Sequence, residues 1–168
     1  TPERFKKIFD KKKYSFIKND LQSINQIYKI LIKFNPDVVV NFAAESHVDR
    51  SINNPLYFIK NNINASSNLF FAYSKFSKKK KVKFFHISTD EVYGSTNLGA
   101  FKENNAYEPS SPYSASKGST DLIAMSFNRT YSTNIKIINL TNNYGPYQYP
   151  EKFIPTLIFH FLKNTPAP

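Results

Sequence analysis

The sequence predicts an α/β protein built on a parallel sheet. Four short runs rich in β-branched or aromatic residues alternate with four helical patterns, and no internal repeat or low-complexity linker breaks the alternation. The second run, Val38-Val39-Val40-Asn41-Phe42, is almost continuously apolar, the pattern of a strand covered on both faces.

Strands are expected at Tyr14 to Lys18, Asp37 to Phe42, Lys83 to Ser88 and Ile135 to Leu140. Between the first two, Ile24, Ile27, Tyr28, Leu31 and Phe34 recur at the spacing of one helix face, and Pro36 stops that helix. A second helix opens with Asn54 as cap and Pro55 at the first helical position, and runs to Phe76 through Ile59, Ile63, Phe70 and Tyr73. A third begins likewise, with Ser111 capping and Pro112 first, and its apolar stripe is read as Leu122, Met125 and Tyr131. A fourth is expected from near Pro155, carrying Leu157, Ile158, Phe161 and Leu162.

At 168 residues the chain is one domain's worth and can bury a core. Its 23 Lys and Arg against 12 Asp and Glu give a net charge of +11, which raises the question of a nucleic-acid partner. The excess Lys, however, travels with Asn, Ile, Phe and Tyr along the whole chain. The densest runs, Lys11 to Lys13 and Lys78 to Lys81, sit beside expected helix ends and turns, where solvated charge belongs. There is no Trp, no RNP-like aromatic motif and no recognition-helix pattern, so no nucleic-acid partner is expected. An anionic small molecule would be drawn by the same charge. No window approaches the roughly 18 to 20 apolar residues of a membrane span, and no membrane partner is expected. The absence of Cys excludes disulfides, thiolate metal sites and cysteine nucleophiles, and fits a reducing compartment. Thr1-Pro2-Glu3-Arg4 shows no leader, and the expected location is cytoplasmic.

Chemistry gathers where the expected strands end. Ser88-Thr89-Asp90-Glu91 places two carboxylates at a strand's C-terminal edge, the edge where open α/β sheets bind ligands. Adjacent residues of a strand point to opposite faces, so Asp90 and Glu91 serve one ligand only if the backbone turns there. Unlike surroundings would then separate their pKa values into acid and base roles, whereas an acidic turn capping the next segment is the plainer alternative. Tyr113 and Lys117 lie four apart near a helix start, on one face, where an ammonium can stabilise a phenolate. Two ordinary surface residues would show the same spacing. Phe42-Ala43-Ala44-Glu45-Ser46-His47 leaves room beside the backbone for a flat ligand, or for close helix packing. Asn142-Asn143-Tyr144-Gly145-Pro146 offers amides to a polar ligand, or forms a simple turn. His47, His86 and His160 have no metal-ligand spacing, and no metal is assigned. The four glycines, at 94, 99, 118 and 145, form neither GxGxxG nor GxxGxxG, so these residues contain no phosphate-cradling loop.

Four motifs resemble, in order and spacing, the nucleotide-sugar 4,6-dehydratases of the extended short-chain dehydrogenase/reductase group. They are NFAAESHVDRSI (41 to 52), HISTDEVYGS (86 to 95), PSSPYSASKGSTD (109 to 121) and NNYGPYQYPEKFIP (142 to 155). The resemblance implies a Rossmann-like doubly wound sheet, with residues 1 to 168 a partial NAD-binding domain and residues 142 to 168 leading into the substrate-binding part. It implies NAD as cofactor and a nucleotide-sugar substrate, dTDP-glucose, converted to a 4-keto-6-deoxy sugar. UDP- or CDP-glucose, a 4-epimerase activity or an inactive remnant are the alternatives, and the Asp90-Glu91 pair favours a dehydratase over an epimerase.

In that chemistry Tyr113 removes the 4-hydroxyl proton as hydride passes to NAD, and Lys117 holds the phenolate and the nicotinamide ribose. Glu91 then takes the C5 proton, Asp90 protonates the departing 6-hydroxyl, and hydride returns to C6. Thr89 matches a threonine that bonds substrate near the 4-hydroxyl. The resemblance further assigns Asp20, Leu21, Ala43, Ala44, Glu45, Ser46 and Asn143 to the cofactor, and Ser46, Asn142, Glu151 and Lys152 to substrate. Asn61 departs from the family's usual Thr. Relatives begin with a strand and a GxxGxxG turn and end with a smaller domain, so the chain reads as an internal piece of a longer protein. By itself it is expected to bind NAD poorly and to be inactive. A homodimer formed through helices that include the one bearing Tyr113 is also implied.

Overall fold

The computed structural model describes residues 14–97 and 99–166; the basic run Lys11 to Lys13 and the chain ends lie outside them. The first helix, α1, spans Ile24–Phe34 and ends at Asn35, whose left-handed backbone and N–H to the Leu31 carbonyl close the last turn ahead of Pro36. β1 (Val38–Asn41) follows, then the short α2 (Val48–Asn53). α3 (Pro55–Phe58) starts under the Asn54 side chain, which accepts from Tyr57 N, with Pro55 in the first turn as expected. The chain then continues through a π-helical turn, Ile59–Asn64, into α4 (Ala65–Ser77). β2 (Lys83–Thr89) ends in a 3-10 turn, Asp90–Tyr93. α5 (Pro112–Tyr131) opens with a reciprocal Ser111–Ser114 capping box. β3 (Ile135–Leu140) and α6 (Phe153–Leu162) complete the described elements. No helix among the described residues is long and apolar enough to cross a membrane.

The strands form one parallel sheet in the order β1-β2-β3. Register sets Val39, Phe84 and Ile135 side by side, and Asn41, His86 and Ile137 two residues further on, all on one face. That face is covered by α1, α4 and α5. Ile27, Leu31, Leu69, Phe70, Tyr73, Phe76, Phe84, Ala124 and Ile135 form the core, with Phe70 edge-on to Phe84, His86 and Phe127. The Tyr73 hydroxyl is buried with it and donates to the Val82 carbonyl at 2.8 Å.

Three expectations need correction. Tyr14 to Lys18 is extended chain without ladder pairing. Ser15, Ile17 and Leu21 line an apolar groove against Ile27, Leu31, Phe34 and Leu69, so side chains find a helix surface while the backbone joins none of the described strands. Among the described residues the run VVVNF is not covered on both faces: Val38 and Val40 are 47% and 44% exposed, because no described helix lies over their side of β1. The stripe of α5 is inverted. Leu122, Met125 and Tyr131 face outward, while Tyr113, Ser114, Ser116, Lys117, Gly118, Thr120, Asp121 and Ala124 face in. A mostly polar face can be buried only where partners satisfy it: here the strands take Lys117 and Asp121, while Ser114, Ser116 and Thr120 bond carbonyls of Ser111, Tyr113 and Ser116. α6 starts at Phe153, two residues before Pro155, and buries none of its residues.

Phe70 is fully buried at the meeting point of α4, β2 and α5. Phe70→Ala is expected to lower unfolding free energy by about 3–5 kcal/mol, measured by urea denaturation followed by circular dichroism.

Candidate active site

The C-terminal ends of the three strands open onto two adjoining clefts. The first, about 780 Å³, is lined by Asp20, Leu21, Ala43, Ala44, Glu45 and Asn61. The Asp20 carboxylate accepts from Gln22 N at 2.9 Å and so shapes the turn after the extended segment. The second cleft, about 590 Å³, is lined by Ser46, Thr89, Glu91, Tyr113, Asn142, Asn143, Glu151 and Lys152. The sequence-expected residues thus sort by position: those matched to the far part of the cofactor border the first cleft, and those matched to substrate border the second.

β2 ends at Thr89, and the 3-10 turn swings the next residues round, which is the turn that Asp90 and Glu91 need to share a locale. The Thr89 hydroxyl accepts from Glu91 N at 3.3 Å and lies 3.5 Å from both Asp90 Oδ1 and Glu91 Oε1. The same hydroxyl acts on the Tyr113 phenol in the sense that lowers its pKa, so one hydroxyl stands among two carboxylates and a phenol. The carboxylates differ in outlook: Glu91 lines the second cleft, whereas Asp90 lines a third cavity with Tyr93, Phe101 and Lys102.

Burial first, then the charge of Asp90, raises the Glu91 pKa, against the Thr89 bond and the charge of Lys152, which lower it. Tyr113 is pushed up to about 12, by burial first and by Glu91 next. Lys117 is 4% exposed and donates to the Ile87 carbonyl at 2.6 Å. The four-residue spacing does bring both side chains to the inner face of α5, yet the ammonium's bond goes to the strand and the phenol keeps its proton at neutral pH. Burial draws the Lys117 pKa down to about 8.

The wall between the clefts is the segment 42–47. Asn62, in the π-helical turn and 1% exposed, accepts from Glu45 N at 2.8 Å and donates to the Glu45 carbonyl at 3.0 Å and to Ser116 Oγ at 2.9 Å. Lys152 Nζ reaches the Ser46 carbonyl at 3.5 Å, and Arg50 pairs with Glu151 at 2.9 Å. Sequence reasoning gave Asn62, Arg50, His47 and Gln148 no role at the site, although the last two also line the second cleft. Asp121 was missed too; its signal was an acid seven residues after Ser114, on the same inward face as Lys117.

Parallel strands, helices over one face and ligand-sized clefts at the strand ends define a Rossmann-like α/β domain. The chain belongs to the GDP-mannose 4,6 dehydratase family, which it matches over residues 3–167. It is 41% identical over 182 residues to a dTDP-glucose 4,6-dehydratase of Salmonella typhimurium, covering 99% of this chain and 50% of that relative. A dTDP-glucose 4,6-dehydratase double mutant from Streptomyces venezuelae, solved with NAD bound, superposes with TM-score 0.91 at 34% identity, covering 100% of this chain and 51% of that one. A UDP-glucuronic acid 4-epimerase from Bacillus cereus, solved with UDP-glucuronic acid and NAD, gives TM-score 0.86 at 29% identity, covering 98% and 51%. The chain therefore spans about half the length of the relatives it matches.

Thr89→Val removes the bond that lowers both neighbours. Carboxyl carbon NMR titration is expected to show the Glu91 midpoint moving up, and difference absorbance of the phenolate the Tyr113 midpoint moving up with it. Unmoved midpoints would show that the hydroxyl bonds neither group.

Proposed function

We propose that the polypeptide carrying these residues is an NAD-dependent nucleotide-sugar 4,6-dehydratase acting on dTDP-glucose. The observation that carries this reading is the cluster of Thr89, Asp90, Glu91 and Tyr113, one hydroxyl in reach of two carboxylates and a phenol beside a 590 Å³ cleft. The first cleft suits a dinucleotide: Ala43 and Ala44 leave its floor open to a flat ring, and Asp20 and Asn61 offer polar edges. Asp20, Leu21, Ala43, Ala44, Glu45, Ser46, Tyr113, Lys117 and Asn143 would hold NAD. Bound there, NAD supplies a reversible hydride acceptor.

The residues' own parts follow from their surroundings. Tyr113 takes the proton of the sugar 4-hydroxyl. Because its phenol sits near 12 beside carboxylates, that role calls for positive charge at the oxygen, which Lys117 brings only by releasing the Ile87 carbonyl. Glu91, its pKa raised by burial, is a stronger base than an exposed carboxylate and takes the C5 proton. Asp90 lines the neighbouring cavity rather than the second cleft, and its part, protonating the leaving 6-hydroxyl, comes from the likeness to the dehydratases rather than from its surroundings. Ser46, Asn142, Glu151 and Lys152 orient the substrate, and residues 142–168 lead into the part of the protein that grips it. A cytoplasmic location belongs to the same reading. A 4-epimerase is the second reading, favoured by the Bacillus cereus likeness; it needs Tyr113 and Lys117 but no acid and base for eliminating water.

The outward stripe of α5 supports pairing with a second copy. Leu122 is 58% exposed, and Leu56 and Ile59, on segments packed against α5, are exposed too.

The natural polypeptide, given NAD and dTDP-glucose, is expected to release a product lighter by one water, read by mass spectrometry. Glu91→Gln is expected to lower the rate at least 100-fold; unchanged turnover would remove the base assignment, and a product of unchanged mass would favour the epimerase. Leu122→Lys is expected to shift the sedimentation coefficient from dimer to monomer.

A further inference from the structure

Beneath the clefts lies a polar cluster that the proposed chemistry leaves unused. Asp121 and His86 are both 0% exposed. Asp121 Oδ2 accepts from Ser88 Oγ at 2.6 Å, from the Tyr107 hydroxyl at 3.3 Å and from Asn139 Nδ2 at 3.4 Å. One carboxylate on α5 thus ties together β2, β3 and the loop after the 3-10 turn. Asn139 Nδ2 also donates to the Thr89 carbonyl at 3.1 Å, which extends the tie to the residue at the centre of the site.

The other oxygen faces the histidine. Ala43 N donates to Asn41 Oδ1 at 3.1 Å, which fixes that amide's orientation and turns its Nδ2 toward His86 Nδ1 at 3.2 Å. His86 Nδ1 is then the acceptor, so the ring proton sits on Nε2, 3.5 Å from Asp121 Oδ1. Neither of these two buried atoms has a hydrogen-bond partner among the described residues. Burial holds the histidine neutral, its pKa lowered to about 3. Lys117, one helical turn before Asp121, is the cation of this interior, and its ammonium is already committed to the Ile87 carbonyl.

We infer that Asp121 is a positioning residue for the candidate active site: its buried carboxylate locks the end of β2, with Thr89, against α5, with Tyr113, and is the counter-charge that keeps Lys117 an ammonium. The inference rests on the dehydratase reading for its consequence in turnover, but its electrostatic half stands on this chain alone. The titratable groups facing the pair are His86 on β2, Tyr107 on the loop, Tyr93 on the 3-10 turn and Tyr113 on α5. The negative charge of Asp121 raises the Lys117 pKa; burial raises that of Asp121 to about 6 against the opposing effects of the Ser88 bond, the Lys117 charge and the Tyr107 and Asn139 bonds. Near pH 7 both are charged.

Removing the carboxylate while keeping its shape separates this role from simple packing. In Asp121→Asn, the Lys117 titration, followed by side-chain NMR and assigned with Lys117→Met, is expected to move down by about one pH unit. An unmoved midpoint overturns the counter-charge. In the natural polypeptide the same variant is expected to lower kcat about 10- to 100-fold with KM for the nucleotide sugar within about twofold, and to shift the alkaline limb of the rate profile downward. A change in KM alone, or no change, overturns the positioning role. A wild-type protein without dehydratase turnover sinks the functional reading, while the Lys117 titration still decides the other. Should Asp121→Asn fail to fold, Ser88→Ala keeps the charge and removes its shortest bond. The Asp121 midpoint is then expected to rise above about 6, and a constant midpoint overturns the inference.

Discussion

The site depends on a single strand's change of character. β2 is hydrogen-bonded on both sides, and its covered face runs Phe84, His86, Ser88 from the core to the clefts. Its neighbours make the same passage in register, Val39 to Asn41 and Ile135 and Ile137 to Asn139. The lower half of the sheet is therefore held by apolar burial and the upper half by paired polar groups. The second half stands only if its partners are all present, since an unpartnered buried polar group costs about 1–3 kcal/mol. α5 provides them through Lys117, bonded to the Ile87 carbonyl, and Asp121, bonded to Ser88 and Asn139, which is why a helix with so little apolar surface turned inward packs against the sheet.

The magnitudes show which effects govern the site's protons. Raising Tyr113 from 10 to about 12 is worth about 3 kcal/mol in favour of the neutral phenol. That net rise already includes the opposing effect of Thr89, about 1 kcal/mol on the scale of a single hydrogen bond. Burial and the two carboxylates outweigh it, so the phenol's acidity is decided by how much positive charge reaches it. The basic groups nearest the second cleft are already engaged, Lys152 near the Ser46 carbonyl, Arg50 with Glu151 and Lys117 with Ile87. The net charge of +11 thus says little about the local field, which at the strand ends is set by acids.

The sequence revealed the fold where local signals and burial agree. Pro55 and Pro112 at helix starts, Asn54 and Ser111 as caps, and the aliphatic runs of β2 and β3 all stand where periodicity put them. It misled where burial is conditional. Tyr14 to Lys18 has strand composition but joins no ladder among the described strands, and a strand is a property of two backbones. Leu122 and Met125 read as a core stripe because apolar residues are assumed to face inward; the rule fails on a helix whose inner face serves a site. The candidate site was legible at Thr89, Asp90 and Glu91 because consecutive residues carry it, and at Tyr113 through its four-residue spacing to Lys117. Asp121 was not, because its partners Ser88, Tyr107 and Asn139 are scattered over three segments and meet only in three dimensions.

The π-helical turn, also unforeseen, completes this logic. An α-helix running unbroken from Pro55 to Ser77 would advance each side chain by a fixed rotation; the wider turn at Ile59–Asn64 resets that rotation midway. Upstream of it Phe58 is buried, downstream Leu69, Phe70 and Tyr73 are buried, and within it Asn62 points to the segment between the clefts. Asn62 holds both backbone groups of Glu45 and at the same time Ser116 on α5, one turn after Tyr113. The wall of the first cleft and the helix bearing the phenol are thus joined through one amide. The segment Ala43 to Ser46, held by Asn62 on one side and by the Lys152 contact to the Ser46 carbonyl on the other, is therefore one backbone wall shared by the two clefts.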